Sequence, residues 1–309
     1  MNLYQREIAR REIVQMEKAV EGLTLICTQK DERAYKKLLA KLRDAVINAW
    51  NDQSKIALNQ CIKLLVDKGE EKFTEADARA IDKILSEKLG GDLQQVVDED
   101  VRKLTAETLK LGKKEILAPL DLKLSFNVSD KEASKILAEQ NLFWVGNHYG
   151  ENVKKKMDAI TEGYFNSDKT IQQVAADFEK DFGKLTNQGE QYFYDLAEHQ
   201  TNTVRELGKV NAMEEAGIQY YEIRAIMDDR TSAICQRLNG TTFPVARAVE
   251  YRDNIIALTD PDAIKQASPW LTDEEVAALP LSDEDLPPGL SLPPYHFRCR
   301  TVIVSVFKD

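Results

Sequence analysis

Tyr220-Tyr221-Glu222-Ile223-Arg224-Ala225-Ile226-Met227 decides the fold, because here the spacing of apolar residues changes from helical to alternating. Bulky and polar side chains alternate as in a half-buried strand. The most β-prone stretch of the chain, Thr301-Val302-Ile303-Val304-Ser305-Val306-Phe307, comes at its far end, and Thr241-Thr242-Phe243 predicts a short third strand. An antiparallel sheet in which the last strand returns beside the first is expected.

Everything before residue 220 carries the helical period. Over 3–24, Tyr4, Ile8, Ile13, Met16, Val20 and Leu23 recur at near-helical spacing, and over 34–66 Leu38, Leu42, Val46, Ala49, Cys61 and Leu65 predict one long amphipathic helix or a broken pair. A third helix starts at the cap Thr74 and is expected to stop at Gly90-Gly91. A fourth, about 92–117, is ended by Pro119. The pattern lapses between 119 and 128, which divides the chain into a helical N-terminal domain, 1–125, and a second domain, 126–309. There Ser129 with Glu132 predicts a capping box, Gly146-Asn147-His148-Tyr149-Gly150 a turn, and Thr170 with Gln173 a second box opening a helix through Phe182. A long helix over 188–214 ends near Gly217. The fold class is therefore α+β: a helical half, then helices and a small antiparallel sheet. A long acidic insertion, about 244–292, interrupts that sheet; it holds six of the nine prolines, with one short helix expected over Thr272 to Leu279.

Composition narrows the class. The net charge of −10 is uneven: 1–125 holds 23 Lys+Arg against 22 Asp+Glu, so acidity belongs to the remainder. Within 251–290 nine acidic residues face Arg252 and Lys265, a field that repels phosphate backbones and disfavours wrapping by nucleic acid. No apolar run approaches the roughly 18 residues that span a bilayer, and the first residues lack the apolar stretch of a secretory signal. No membrane partner and folding in a cytoplasm are expected. The four cysteines, Cys27, Cys61, Cys235 and Cys299, fit no disulfide framework of small secreted domains, and Cys27 and Cys61 are most simply buried helix residues.

Two blocks carry the chemistry. The first is Asp228-Asp229-Arg230-Thr231-Ser232-Ala233-Ile234-Cys235, running on to Leu238-Asn239-Gly240; the second is Pro293-Pro294-Tyr295-His296-Phe297-Arg298-Cys299-Arg300. A strand leading to Asp-x-Arg-Thr, a cysteine, an aliphatic residue and a glycine, then Pro-Pro-x-His-x-x-Cys-Arg before a final strand, resembles the phage Mu F-like head morphogenesis family of minor head (minor capsid) proteins. The resemblance covers about 150–308. Where members often carry two further cysteines, this chain has Ser232 and Thr301.

The resemblance implies a virion structural protein acting in head morphogenesis. Such a protein docks at or near the portal, binds portal or capsid proteins, and assists DNA packaging or delivery with contact to phage DNA. Its place would be the head interior or portal region, reached from the host cytoplasm during assembly. Oligomeric state is left open. The helical half is expected to be the protein-binding part. The chain stops nine residues after Arg300, so no fused effector domain is expected.

The residues themselves leave alternatives. The simplest reading packs Cys235 and Cys299 as small apolar or paired thiols between strands, with no cofactor. The alternative gives Cys235, His296 and Cys299 to zinc, with Asp228 or Asp229 as a fourth ligand. Asp229 and Arg230 beside Arg298 and Arg300 are expected to form charge-assisted hydrogen bonds that pin the two ends of the insertion. The chain is expected not to be an enzyme; the competing possibility is a metal-independent nuclease with His296 as general base and Arg298, Arg300 or Arg230 as phosphate stabilisers. His148 in its turn and His199 on a helix read as ordinary histidines.

Overall fold

A computed structural model describes residues 3–68, 72–122, 125–165, 169–280 and 282–306. Side chains are described from residue 31 onward within those ranges, except at 151, 152, 165 and 261. The apolar face expected over 3–24 and Cys27 therefore lie outside the described side chains.

The chain is α+β. Helix α1 runs unbroken over Leu3–Asp67, where two or three helices were expected. Next come α2 (Glu75–Ser86) and α3 (Leu93–Leu117), then α4 (Val128–His148), α5 (Lys154–Phe165) and α6 (Ile171–Glu215). Strand β1 (Tyr220–Arg224), the short helix α7 (Ala233–Leu238) and strand β2 (Thr242–Pro244) precede α8 (Val245–Ala257), α9 (Pro261–Ala267) and α10 (Asp273–Ala277). Strand β3 (Val302–Val306) closes the sheet. The strand order is β2-β1-β3, antiparallel throughout, with Tyr221 opposite Phe243 and Ser305. The last strand does return beside the first.

Several expected breaks are absent, each for a packing reason. Gly90 and Gly91 lie in a π-helical turn, Glu87–Asp92, that joins α2 to α3. Leu89 and Leu93 on either side are fully buried, and that burial keeps the helix going where isolated glycines would weaken it. The expected turn at 146–150 is likewise the end of α4 and a π-helical segment, Tyr149–Val153. Tyr149 is buried there with its hydroxyl 2.8 Å from Asp82 Oδ1. No break separates 182 from 188, because Trp50 packs against Gly189 and its Nε1 donates to Thr186 O at 2.9 Å. The Thr170–Gln173 box opens α6 as its residues predict. That of α4 is Asn127 with Asp130, two residues before the expected Ser129 and Glu132.

The insertion is more ordered than a loop. It holds α8, α9, α10 and two 3₁₀ turns. Three arginines tie it down: Arg237 pairs with Asp283 at 3.1 Å, Arg247 of α8 binds Ser291 Oγ at 3.0 Å and the carbonyl of Leu286, and Arg252 of α8 pairs with Glu214 on α6 at 2.6 Å.

The chain divides into two compact units whose segments interleave: residues 1–39, 106–134 and 201–309 form one, and 40–105 with 135–200 the other. This differs from the boundary expected near 125, since α1, α3, α4 and α6 each contribute to both units. In the first unit α3 and α6 meet backbone to backbone. A Cβ on Gly112 would overlap the Arg205 carbonyl, and one on Gly208 the Leu109 carbonyl. Gly112→Ala is thus expected to destabilise by about 1–3 kcal/mol as the helices are forced apart. Thermal unfolding followed by circular dichroism measures it, and an unchanged midpoint would remove the close-approach argument.

Candidate functional site

The site is built on α6, whose last turns are unusually polar for a buried helix. Asn202, Arg205, Glu206 and Lys209 are all less than a tenth exposed. Residues 202, 206 and 209 follow the i, i+4, i+7 spacing of one helix face, and all three bind the backbone of β3 or of the segment leading into it. Asn202 Nδ2 donates to Cys299 O at 2.9 Å, Glu206 Oε2 accepts from Ile303 N at 2.7 Å, and Lys209 Nζ lies 3.3 Å from Ile303 O. Glu206 also pairs with Lys209 at 2.7 Å, while Arg205 makes a two-point contact with Glu115 at 2.9 and 3.0 Å. Burial pushes the Glu115 carboxyl up, against the pull of Lys209 and Arg205. Glu206→Ala removes a charged hydrogen bond to buried backbone, for which about 2–3 kcal/mol of destabilisation is expected by chemical denaturation; Glu206→Gln, which can still accept from Ile303, should lose less.

The first block is a tight turn followed by α7. Asp228 Oδ1 accepts from Arg230 N at 3.0 Å, Asp228 N donates to Thr231 Oγ1 at 2.8 Å, and that hydroxyl donates to Ile226 O at 2.7 Å. This is why Asp and Thr stand three apart: short polar side chains replace missing backbone partners in a turn. Ser232 caps α7, accepting from Cys235 N. Gly240 takes φ +83°, a conformation suited to glycine, and donates to Ile223 O at 2.8 Å, returning the chain to β1. Leu238 is fully buried beneath.

The two blocks meet. Arg300 binds both carboxylate oxygens of Asp228 at 2.6 and 2.7 Å. The expected acid was Asp229, so the pairing is corrected by one residue: Asp228 is the one the turn aims at β3, and it sits held well below the usual carboxylate range by Arg300. Cys235 Sγ lies 3.6 Å from Cys299 Sγ and 3.4 Å from His296 Nε2; Ser232 Oγ lies 2.8 Å from the same nitrogen. Cys235 and Cys299 are 3% and 2% exposed, while His296 is half-buried. They are not between strands as expected: Cys235 sits on the first turn of α7 and Cys299 in the segment entering β3.

Charge in this cluster is unequal. The hydrogen bond from Cys299 brings the Cys235 thiol down to about 6, and the same contact with burial pushes Cys299 up to about 12. The Cys299 contact also raises His296. Arg298 takes φ +59° between His296 and Cys299 and is exposed, as is Arg230. Pro293 and Pro294 lead into Tyr295, which is buried with its hydroxyl 3.3 Å from Leu290 O.

His148 and His199 do not join the site. His148 belongs to the second unit, stacked on Tyr192 with ring centroids 3.9 Å apart and edge-on to Trp50, and His199 is half-buried on α6. Asn202, Glu206 and Lys209 were missed by sequence reasoning. Their signal was present as a run of polar residues on the inner face of an otherwise amphipathic helix. Comparisons with protein-family models, curated proteins and solved structures give no significant match to this chain.

Proposed function

We propose that the chain is a minor head protein of a tailed phage or prophage, acting in head morphogenesis at or near the portal. The reading rests on the likeness of the two blocks to the Mu F-like signature. One observation supports it: the blocks close on each other through Asp228–Arg300 and the Cys235–His296–Cys299 cluster. Groups committed in this way hold a scaffold together. Arg300 is occupied by a carboxylate that a substrate phosphate would have to displace.

The test is genetic and biochemical. Deleting the gene from its phage or prophage should leave heads that are empty or non-infectious, and the tagged chain should be found in purified heads together with portal protein. Wild-type titres from the deletion, with the chain absent from heads, would overturn the assembly role. Incubation of the purified chain with labelled RNA and DNA addresses the nuclease alternative: no turnover is expected, and turnover lost in His296→Ala would replace this reading.

A further inference from the structure

We propose that Cys235, His296 and Cys299 bind one zinc ion that ties the first block to the segment entering β3, with the Ser232 hydroxyl beside its fourth coordination position. The inference does not depend on the head-assembly reading.

Geometry carries it. The three ligand atoms all lie within 4.8 Å of one another. Tetrahedral zinc with bonds of about 2.3 Å to sulfur and about 2.0–2.1 Å to nitrogen sets sulfurs about 3.7 Å apart and sulfur to nitrogen about 3.5 Å apart. The observed separations are 3.6 Å between Cys235 Sγ and Cys299 Sγ and 3.4 Å between Cys235 Sγ and His296 Nε2. A disulfide needs about 2.05 Å and would leave the imidazole without a purpose there.

The tautomer agrees. His296 Nδ1 lies 2.6 Å from Phe297 O. A carbonyl can only accept, so Nδ1 carries a proton, and Nε2 is the nitrogen that faces the thiols and would bind a metal. This is the outer hydrogen bond that orients metal-bound histidines.

The surroundings hold the ligands before any ion arrives. Cys235 is fixed by the Ser232-capped first turn of α7 and Cys299 by the bond from Asn202 to its carbonyl. Arg298, in its left-handed conformation, bends the chain between His296 and Cys299. The half-buried imidazole leaves one open side. Asp228, expected as a fourth ligand, has both oxygens on Arg300, and Ser232 Oγ, 2.8 Å from Nε2, is the polar atom that adjoins the remaining position. Two thiolates and a neutral imidazole suit zinc among common divalent ions.

The full chain, purified with reductant, incubated with zinc and dialysed, should retain one zinc per chain by elemental analysis. Cobalt should replace it and give thiolate-to-metal charge-transfer and tetrahedral d–d absorption. Cys235→Ser and Cys299→Ser should lose the metal, and Cys61→Ser should keep it. Ser232→Cys supplies a fourth thiolate and should tighten zinc binding by about tenfold or more; this gain cannot come from misfolding. Wild-type chain that keeps no zinc and gives no cobalt spectrum would overturn the proposal. So would undiminished zinc in folded Cys235→Ser, or an affinity unmoved by Ser232→Cys.

Discussion

Lys113→Met should destabilise the protein by about 3–5 kcal/mol, the usual cost of leaving one member of a buried ion pair behind. Lys113 and Asp130 have side chains only 5% and 1% exposed and meet at 2.6 Å. Lys113 Nζ also binds Glu215 at 2.6 Å and Ser125 O at 3.2 Å, joining α3, α4 and α6 within one unit. Burial alone would raise the Asp130 carboxyl, but hydrogen bonds from Lys113, Asn211 and Asn127 bring it below its ordinary value. Its contribution to stability is thus complete above the unfolded pKa, near 4, and is lost as pH falls through the lowered folded value. Urea unfolding at neutral pH measures the loss. Adding Asp130→Leu to Lys113→Met should recover part of it, because an apolar pair replaces a stranded charge. A Lys113→Met variant within 1 kcal/mol of wild type would show that the pair is not buried in solution.

Acid should reveal His148 in the second unit. Desolvation among Trp50, Tyr192 and Phe193 brings its pKa from 6.5 down to about 4, with Lys156 adding to the shift. The folded state holds the ring neutral, whereas the unfolded chain takes up a proton below 6.5. Stability is therefore full above pH 6.5, falls between 6.5 and about 4, and levels off for this group below that, a loss of about 3 kcal/mol. Carboxylates with lowered values, such as Asp77 and Asp181, lose stability in the same direction but at lower pH. Comparing wild type with His148→Phe at pH 7 and pH 4.5 isolates the imidazole. The variant should lose much less stability between the two, and equal losses would rule out the buried neutral histidine.

Much of the fold could be read from local pattern. Alternation at Tyr220–Arg224 and β-propensity at Val302–Val306 identified the paired strands, and the Thr170–Gln173 box marked a helix start, because a strand's period and a cap's hydrogen bonds lie within a few residues. Gly217 at φ +68° ends α6 where its position predicts. Helix continuity was not legible. Glycine is a breaker by propensity, and only the burial of Leu89 and Leu93, or the indole of Trp50 against Gly189, shows that packing outweighs it. Two of the three helices of the insertion, α8 and α9, were not legible either: α8 is tied to α6 by the Arg252–Glu214 pair, a contact made across 38 residues of chain.

The sequence by itself determined the two blocks and the chemical groups they carry, but not Asn202, Glu206 and Lys209 of α6. The two blocks carry acid, base, thiol and imidazole in turns beside strands, and their convergence follows from pairing the last strand with the first. Only the tertiary structure decided the partners. Asp228 rather than Asp229 reaches Arg300, because turn geometry sets where each carboxylate points. Glu206 reaches the backbone of Ile303 across 97 residues of chain. A buried polar group takes whatever partner the fold brings within hydrogen-bonding distance, and that choice leaves no mark on the residues near it in sequence.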